Sequence, residues 1–388
     1  MTAGARDPVP PGATIGILGG GQLGRMMAIA ARAMGYKIRA LDPDPACAIR
    51  PLVEDLVAAP FDDPAAAVRL AQRCAVLTIE TERVSRYSLE QCAGRVPVRP
   101  NANLLSIVQD RARQKRWLDR QGYPLGPWRF APSFDPLRAA AAAFGFDCYI
   151  KACRGGYDGR AQARVCRESE LAPAWEALGP QACVVEQALD LEAELSVLAA
   201  RRPSGEMVAY PPALNRHEDG ILSWSVIPAP LPSGIAREAR ALTHDIAEAL
   251  GLEGLLVVEM FVDKRGRLLV NELAPRPHNS YHASEQACAT SQFEQAIRAI
   301  CDLPLGRAEV VQPTAIANLL GDLWRDGTAP PFEQALKLSG VRLHLYDKHP
   351  PRPSRKMGHL SATAETPEQA IEKVLEGMQQ LQWHRARR

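Results

Sequence analysis

Short apolar runs alternate with stretches of helical periodicity over the first part of the chain. Thr14–Ile15–Gly16–Ile17–Leu18 has the pattern of a buried strand. After G-G-G-Q-L-G-R-M, apolar residues recur at helical spacing from Met26 to Met34, and Gly35 ends the helix. Tyr36 to Leu41 repeats the strand pattern, Pro64 to Arg73 reads as a helix, Cys74 to Thr78 as a strand and Pro97 to Pro100 as a short strand. Asn101 opens a helix expected to run through Lys115 and Leu118. Strands alternating with helices predict a parallel sheet.

That alternation stops at Gly122–Tyr123–Pro124–Leu125–Gly126–Pro127, a domain boundary by its turn residues. Beyond it lie an alanine-rich helix from Pro136 to Phe144, a strand ending at Lys151, and the strand Ala182 to Gln187. Leu191 to Ala200 begins a longer strand. Gly254 to Phe261 and Leu268 to Ala274 form a hairpin around Lys264–Arg265–Gly266. A strand at Ala315 to Leu320, a helix around Phe332 to Leu338 and an amphipathic helix from Thr366 to Gln382 complete the pattern. The expected division is a disordered leader over 1–12, a Rossmann-like domain over 13–121, a small glycine-loop lid domain over 122–190 and a C-terminal mixed-sheet domain over 191–388. The fold class is therefore α/β (α+β).

Composition adds mostly exclusions. A chain of 388 residues with net charge +2 offers no broad basic surface for nucleic acid or an anionic membrane, so any positive site must be local. No apolar segment is long enough to span a bilayer. The nine cysteines are scattered without C-x-x-C pairs and read as reduced core thiols of a cytoplasmic protein.

Four stretches carry candidate chemistry. The first is K-A-C-R-G-G-Y-D-G-R-A-Q, Lys151 to Gln162. Its glycines let backbone N–H groups approach an anion, and Lys151, Arg154 and Arg160 add charge that suits a polyphosphate. Alone, it reads more readily as an ordinary glycine-rich hairpin turn with solvated basic flanks. The second is Gly19-x-Gly21-x-x-Gly24, which with Asp42 matches a dinucleotide fingerprint and makes a nicotinamide dehydrogenase a candidate. The fingerprint by itself certifies only a strand, a turn and a helix N-terminus. Glu80 and Glu82, at the carboxyl end of a strand, fit substrate contacts or a solvated loop equally well.

The third stretch is the hairpin, where Glu259 sits in an otherwise apolar strand and Asn271–Glu272 lie on its neighbour. Carboxylates in apolar strands are costly unless paired or coordinated, and this oxygen set suits either Mg²⁺ or a salt bridge. Arg276, His278, Asn279 and Ser280 follow on a proline-stiffened loop. Glu186–Gln187, ending their strand, can donate to and accept from a flat polar base such as adenine. The last stretch gathers Lys348, Arg352, Arg355 and Lys356 around prolines, as a phosphate-binding or merely solvated basic loop.

Taken together, G-G-G-Q-L-G-R-M, T-I-E-T-E-R-V, G-G-Y-D-G-R-A-Q, the E-M-F strand, N-E-L-A-P-R-P-H-N-S and Y-D-K…R-K-M-G-H-L resemble, in this order, the 5-(carboxyamino)imidazole ribonucleotide synthases, ATP-grasp enzymes of microbial purine biosynthesis. The resemblance spans about Ile15 to Leu360. It implies a dimeric ligase that uses MgATP (or the Mn²⁺ form) to phosphorylate bicarbonate and carboxylates aminoimidazole ribonucleotide. By position it implies that ATP meets Arg111, Lys151, the loop Gly156–Tyr157–Asp158–Gly159–Arg160–Ala161–Gln162, Glu186, Gln187, Ala188, Leu189, Glu194, His217, Asn271 and Glu272. Glu259 and Glu272 would hold the metal. Arg276, His278, Asn279 and Ser280 would face bicarbonate, with Tyr157 and Asp158 also at the reacting groups. Gly21, Gln22, Leu23, Glu80, Arg276, Ser280, Lys348 and Arg355 would surround the ribonucleotide.

Three positions depart from the family pattern. Ala161 stands for a glycine, Leu214 for a histidine, and Tyr281 for a glycine where it would add bulk beside the carboxyphosphate site. The rivals are a formate-dependent glycinamide ribonucleotide transformylase, a non-catalytic nucleotide sensor on the same fold, and the dehydrogenase, which leaves Glu259, Glu272 and the second glycine loop unexplained.

Overall fold

A computed structural model describes residues 7–155 and 161–381. The chain builds three sheets. The first is parallel, in the order Asp55–Ala58, Lys37–Asp42, Thr14–Leu18, Val76–Ile79. Thr14–Leu18 and Val76–Ile79 are buried nearly throughout, as strands covered by helices such as Gln22–Ala33 and Pro64–Ala71 should be. The second is a small antiparallel sheet, Trp128–Ala131, Cys183–Gln187, Cys148–Ala152, Gln162–Val165. The third has nine strands and runs from Leu268–Ala274 at one edge to Val341–Leu345 at the other.

In this large sheet Gly254–Asp263 pairs with both Leu268–Ala274 and Leu191–Arg201. Val257, Val258, Leu198 and Leu256 are fully buried there. At about 1.5–3 kcal/mol for each such side chain removed from water, this centre holds the strand carrying Glu259 in place.

Several boundaries differ from the sequence pattern. The helix expected from Asn101 is two helices, Ala102–Val108 and Arg111–Arg120. Asp110 makes the break: its side chain accepts from the Arg113 N–H and caps a second helix on a new axis. Pro97 to Pro100 contributes only a single bridge, Val98 to Leu77, because prolines deny it ladder donors. The helix at Phe332 stops at Ala335. Val9, assigned to a disordered leader, is buried: its N–H donates to the Cys301 carbonyl at 2.8 Å and its carbonyl accepts from the Tyr36 hydroxyl at 2.7 Å. Gln382 and the first part of the leader lie outside the described residues. All nine cysteines are free thiols. Among the described residues no helix is long and apolar enough to cross a membrane.

Candidate active site

Antiparallel register sets Glu259 directly opposite Glu272. Each carboxylate has a cationic or imidazole neighbour: Arg111 reaches Glu272 at 2.8 Å, and His278 Nε2 lies 3.2 Å from Glu259. The coordination and salt-bridge readings of this pair are thus not exclusive. Burial pushes Glu259 upward; His217 opposes this and the facing Glu272 reinforces it. For Glu272 burial acts the same way, but Arg111 outweighs it and holds the acid below its ordinary range. Two oxygen acids with Asn271 beside them fit a hard divalent cation, Mg²⁺ above all. That cation would supply charge neutralisation for a polyphosphate.

Arg111 and Lys115 lie one turn apart on the second of the two helices, so both face the sheets. Lys115 Nζ stands 3.0 Å from one Glu186 oxygen and Lys151 Nζ 2.6 Å from the other. Lys151 also reaches Asn271 Oδ1 at 3.4 Å. Burial would raise Glu186, but the two lysines reverse this and keep it well below the carboxylate range. The sequence pattern marks Lys115 only as part of a helix; the signal that it joins the site was its four-residue spacing from Arg111. A small cavity opens above this cluster, with Lys115, Tyr149, Lys151, Glu186, Leu189 and Phe261 among its lining. Gln187 lines it too, while the Gln187 and Ala188 N–H groups donate to Pro127 and Asp147 carbonyls. Apolar walls ending in charged groups suit a flat base carrying phosphates.

His217 lies in the strand Ala213–Glu218, and its Nδ1 is 2.7 Å from Glu194. Burial lowers His217 and the Glu194 bond lifts it, with a net rise. Beyond Glu259 and Glu272, Arg276 Nε is 2.8 Å from Glu82. His278 Nδ1 meets Ser280 Oγ at 2.9 Å, and Ser280 Oγ meets Ser196 Oγ at 2.8 Å. Asn215 donates to Ser196 at 3.1 Å, and Gln292 accepts from the His278 N–H at 2.9 Å. Asn279 is 5% exposed, and its side-chain amide has no hydrogen-bond partner among the described residues. A buried side-chain amide with no protein partner, one residue on from the His278 that meets Glu259, has hydrogen-bonding capacity to offer a ligand.

Tyr281 does not crowd this tract. It is fully buried and turned away, its hydroxyl near the Ser196 and Pro211 carbonyls at 3.0 and 2.8 Å and its ring edge-on to Tyr210. Leu214 sits in the strand beside the buried Asn215 and is only partly exposed.

On the parallel sheet, the glycine turn is filled from within. Glu80 accepts from the N–H groups of Gly21 and Gly24 at 2.9 and 3.1 Å, and Asp42 accepts from Gly20 at 2.7 Å. A Cβ at Gly19 would lie 2.3 Å from the Glu80 side chain, and one at Gly24 would lie 2.6 Å from the Gly19 carbonyl. The glycines therefore serve a carboxylate and a tight turn, and neither the helix N-terminus nor Asp42 is left for a dinucleotide. Burial raises Glu80, while these N–H groups, Lys348 and Arg276 oppose it. Lys348 bonds Gln22, joining the far edge of the C-terminal sheet to this turn, and Leu23 is buried. Arg355 donates to the His349 and Pro350 carbonyls, each at 2.9 Å. The loop residues Gly156, Tyr157, Asp158, Gly159 and Arg160 lie outside the described residues. Ala161, which follows them, has φ 56°, and Gln162 pairs with Lys151.

A parallel-sheet domain, a small antiparallel domain and a large antiparallel sheet meeting around two acids and three basic residues define an ATP-grasp ligase. Family models agree: the ribonucleotide synthetase preATP-grasp domain matches residues 12–109, the ATP-grasp domain 116–293 and the phosphoribosylaminoimidazole carboxylase C-terminal domain 314–373. N5-carboxyaminoimidazole ribonucleotide synthase of Bacillus subtilis (strain 168) is 37% identical, covering 95% of this chain and 96% of its own. The Brucella melitensis enzyme of the same name is 39% identical over 92% of this chain and 98% of its own. Among solved structures, an ADP complex of N5-carboxyaminoimidazole ribonucleotide synthetase superposes with TM-score 0.89 at 37% identity, over 96% of this chain and 97% of that one. The Aspergillus clavatus enzyme bound to ADP and 5-aminoimidazole ribonucleotide gives 0.85 at 29% identity, over 95% and 98%. The chain belongs to the N5-carboxyaminoimidazole ribonucleotide synthase family.

Proposed function

We propose that the protein carboxylates 5-aminoimidazole ribonucleotide with bicarbonate at the expense of ATP, in purine biosynthesis in the cytoplasm, as a homodimer. The observation that carries the reading is the facing of Glu259 and Glu272 on paired strands, with Arg111 on one acid and Lys151 against the adjoining Asn271. Phosphoryl transfer requires positioning and charge neutralisation more than a nucleophile, and this site offers acids for Mg²⁺ and fixed cations for phosphates.

Within that reading, Lys115, Lys151 and Arg111 orient the triphosphate, and Glu186 and Leu189 bound the base. Arg276, His278 and the unpartnered Asn279 amide hold bicarbonate as it accepts the phosphoryl group. Gln22, Glu80 and Lys348 bind the ribonucleotide, so that its exocyclic amine meets the activated carboxyl away from water. Tyr157, Asp158 and the rest of the glycine loop close over both substrates, which protects a carboxyphosphate that water would hydrolyse.

The test is phosphate release from ATP by the purified protein. Full rate is expected only with Mg²⁺, bicarbonate and aminoimidazole ribonucleotide together. Equal turnover with glycinamide ribonucleotide and formate would overturn the assignment in favour of a transformylase. No turnover with either set would favour the nucleotide sensor.

A further inference from the structure

Away from the carboxylate pair, a column of three imidazoles crosses the C-terminal sheet. His282 and His359 are buried, 1% and 0% exposed, with ring centroids 5.0 Å apart. His344, on the edge strand Val341–Leu345, stacks on His359 at 4.4 Å. Glu285, on the short helix Ser284–Ala287, brings an oxygen to 3.6 Å from His344 Nδ1. Glu285, His344 and His359 each offer a ligand atom, and those atoms all lie within 4.8 Å of one another.

Two features separate this cluster from ordinary packing. His359 Nδ1 is held at 2.7 Å by the buried Tyr346 hydroxyl, while its Nε2 is buried with no partner among the described residues. A hydroxyl fixing one imidazole nitrogen and leaving the other bare is the arrangement around a metal-ligating histidine. Next, the 3.6 Å between the Glu285 oxygen and His344 Nδ1 is close to the separation of about 3.4 Å between ligands of a tetrahedral ion with bonds near 2.1 Å.

We propose that Glu285, His344 and His359 form a second cation site, for a divalent ion of the zinc class, distinct from the Mg²⁺ acids. Two imidazoles and one carboxylate suit Zn²⁺ or Co²⁺ better than Mg²⁺, which takes oxygen ligands. The rings of His344 and His359 are inclined by only 7°, so one ion cannot lie in both ring planes as they stand. His359 is fixed by Tyr346, so His344, whose side chain is 26% exposed, is the ring that turns. Ligation would fasten the sheet-edge strand, which leads into Tyr346 and Lys348, to the helix that follows His278–Ser280. The ion is therefore a structural clamp between two substrate-binding segments.

The experiment uses the full-length protein, stripped of metal with chelator and titrated with Co²⁺ in the presence of saturating MgATP. One equivalent of tightly held Co²⁺ with tetrahedral visible absorption is expected in the wild type. Loss of that absorption is expected in Glu285→Gln and in His344→Ala, both changes at partly exposed residues. Tyr346→Phe keeps all three ligands and should weaken binding about tenfold or more. Zn²⁺ should displace the Co²⁺ signal and raise the midpoint of thermal unfolding. Absence of tetrahedral absorption in the folded wild type would overturn the proposal. So would an unchanged signal in both Glu285→Gln and His344→Ala, which would locate the ion elsewhere.

Discussion

Glu186 is the carboxylate in direct ion-pair contact with two buried lysines, and replacing it with glutamine tests how the site stores charge. The Glu186, Lys115 and Lys151 side chains are 13%, 6% and 10% exposed, with ion-pair distances of 3.0 and 2.6 Å. At an effective dielectric constant of about 20, each contact carries roughly 5–6 kcal/mol of gross attraction, most of it cancelled by desolvation. Removing one partner does not return the cancelled part, because the lysines stay buried. The expected loss is about 3–5 kcal/mol. Burial and the facing Lys151 already pull Lys115 down against the pull of Glu186, so without the acid one lysine should shed its proton. Hydrogen exchange in the strands Cys148–Ala152 and Cys183–Gln187 is the assay, since these strands carry Lys151 and Glu186. In Glu186→Gln their opening should be faster by on the order of 100- to 1,000-fold or more, as about 1.4 kcal/mol is a factor of ten. Added ATP, bringing phosphates to the same lysines, should restore much of the protection. The pH dependence has a definite sign. Glu186 is held below its ordinary value, so its contribution is complete above the unfolded carboxylate pKa of about 4.3 and is lost only as pH falls through the lower folded value. Exchange within about twofold of wild type near neutral pH would refute the reasoning, by showing that water already screens the trio.

Three further outcomes follow from named contacts. Glu259 is raised by burial and by Glu272. The Michaelis constant for Mg²⁺ should therefore begin to climb, as pH falls, while an ordinary glutamate of pKa about 4.3 is still ionised; a profile that stays flat until ordinary carboxylates titrate would exclude Glu259 as a ligand. Tyr281→Phe should cost about 1 kcal/mol through its two carbonyl partners, and Tyr281→Gly about 4 kcal/mol through the cavity left against Tyr210. Unfolding midpoints should record both losses while the substrate Michaelis constants stay unchanged; a changed bicarbonate constant without a stability loss would mean that the ring faces the site. Ala161→Gly should relieve about 1 kcal/mol of left-handed backbone strain, part of it offset by about 0.5 kcal/mol of unfolded-chain entropy. A small rise in thermal stability checks this, and a fall would show that the strain is absent.

How far the sequence could be read depended on the range of the interaction involved. Strand and helix identities were legible because periodicity is local, and the pairing of Glu259 with Glu272 followed from a short hairpin whose length nearly fixes its register. The break at Asp110 was harder. Asparagine at 101 and aspartate at 110 are both good caps, and only the packing of Arg111 and Lys115 toward Glu272 and Glu186 decides that the helix restarts. Gly19, Gly21 and Gly24 misled for the complementary reason. Their spacing reports a tight turn and an open helix N-terminus, but the group that fills it, Glu80, comes from just past the end of another strand of the sheet. A phosphate and a glutamate carboxylate ask the same of a backbone, so the motif cannot distinguish an external anion from an internal one. Tyr281 shows the same limit at a single residue. Its place next to Ser280 suggested bulk at the reaction centre, yet a side chain can leave a tract on either side, and here the hydroxyl meets the carbonyls of Ser196 and Pro211 instead. Residues that recruit distant partners are where sequence reasoning stops and packing decides. Of those residues, Lys115 and Glu186 also line the cavity above the carboxylate pair, while Glu80 and Tyr281 fix the turn and the core on either side of it.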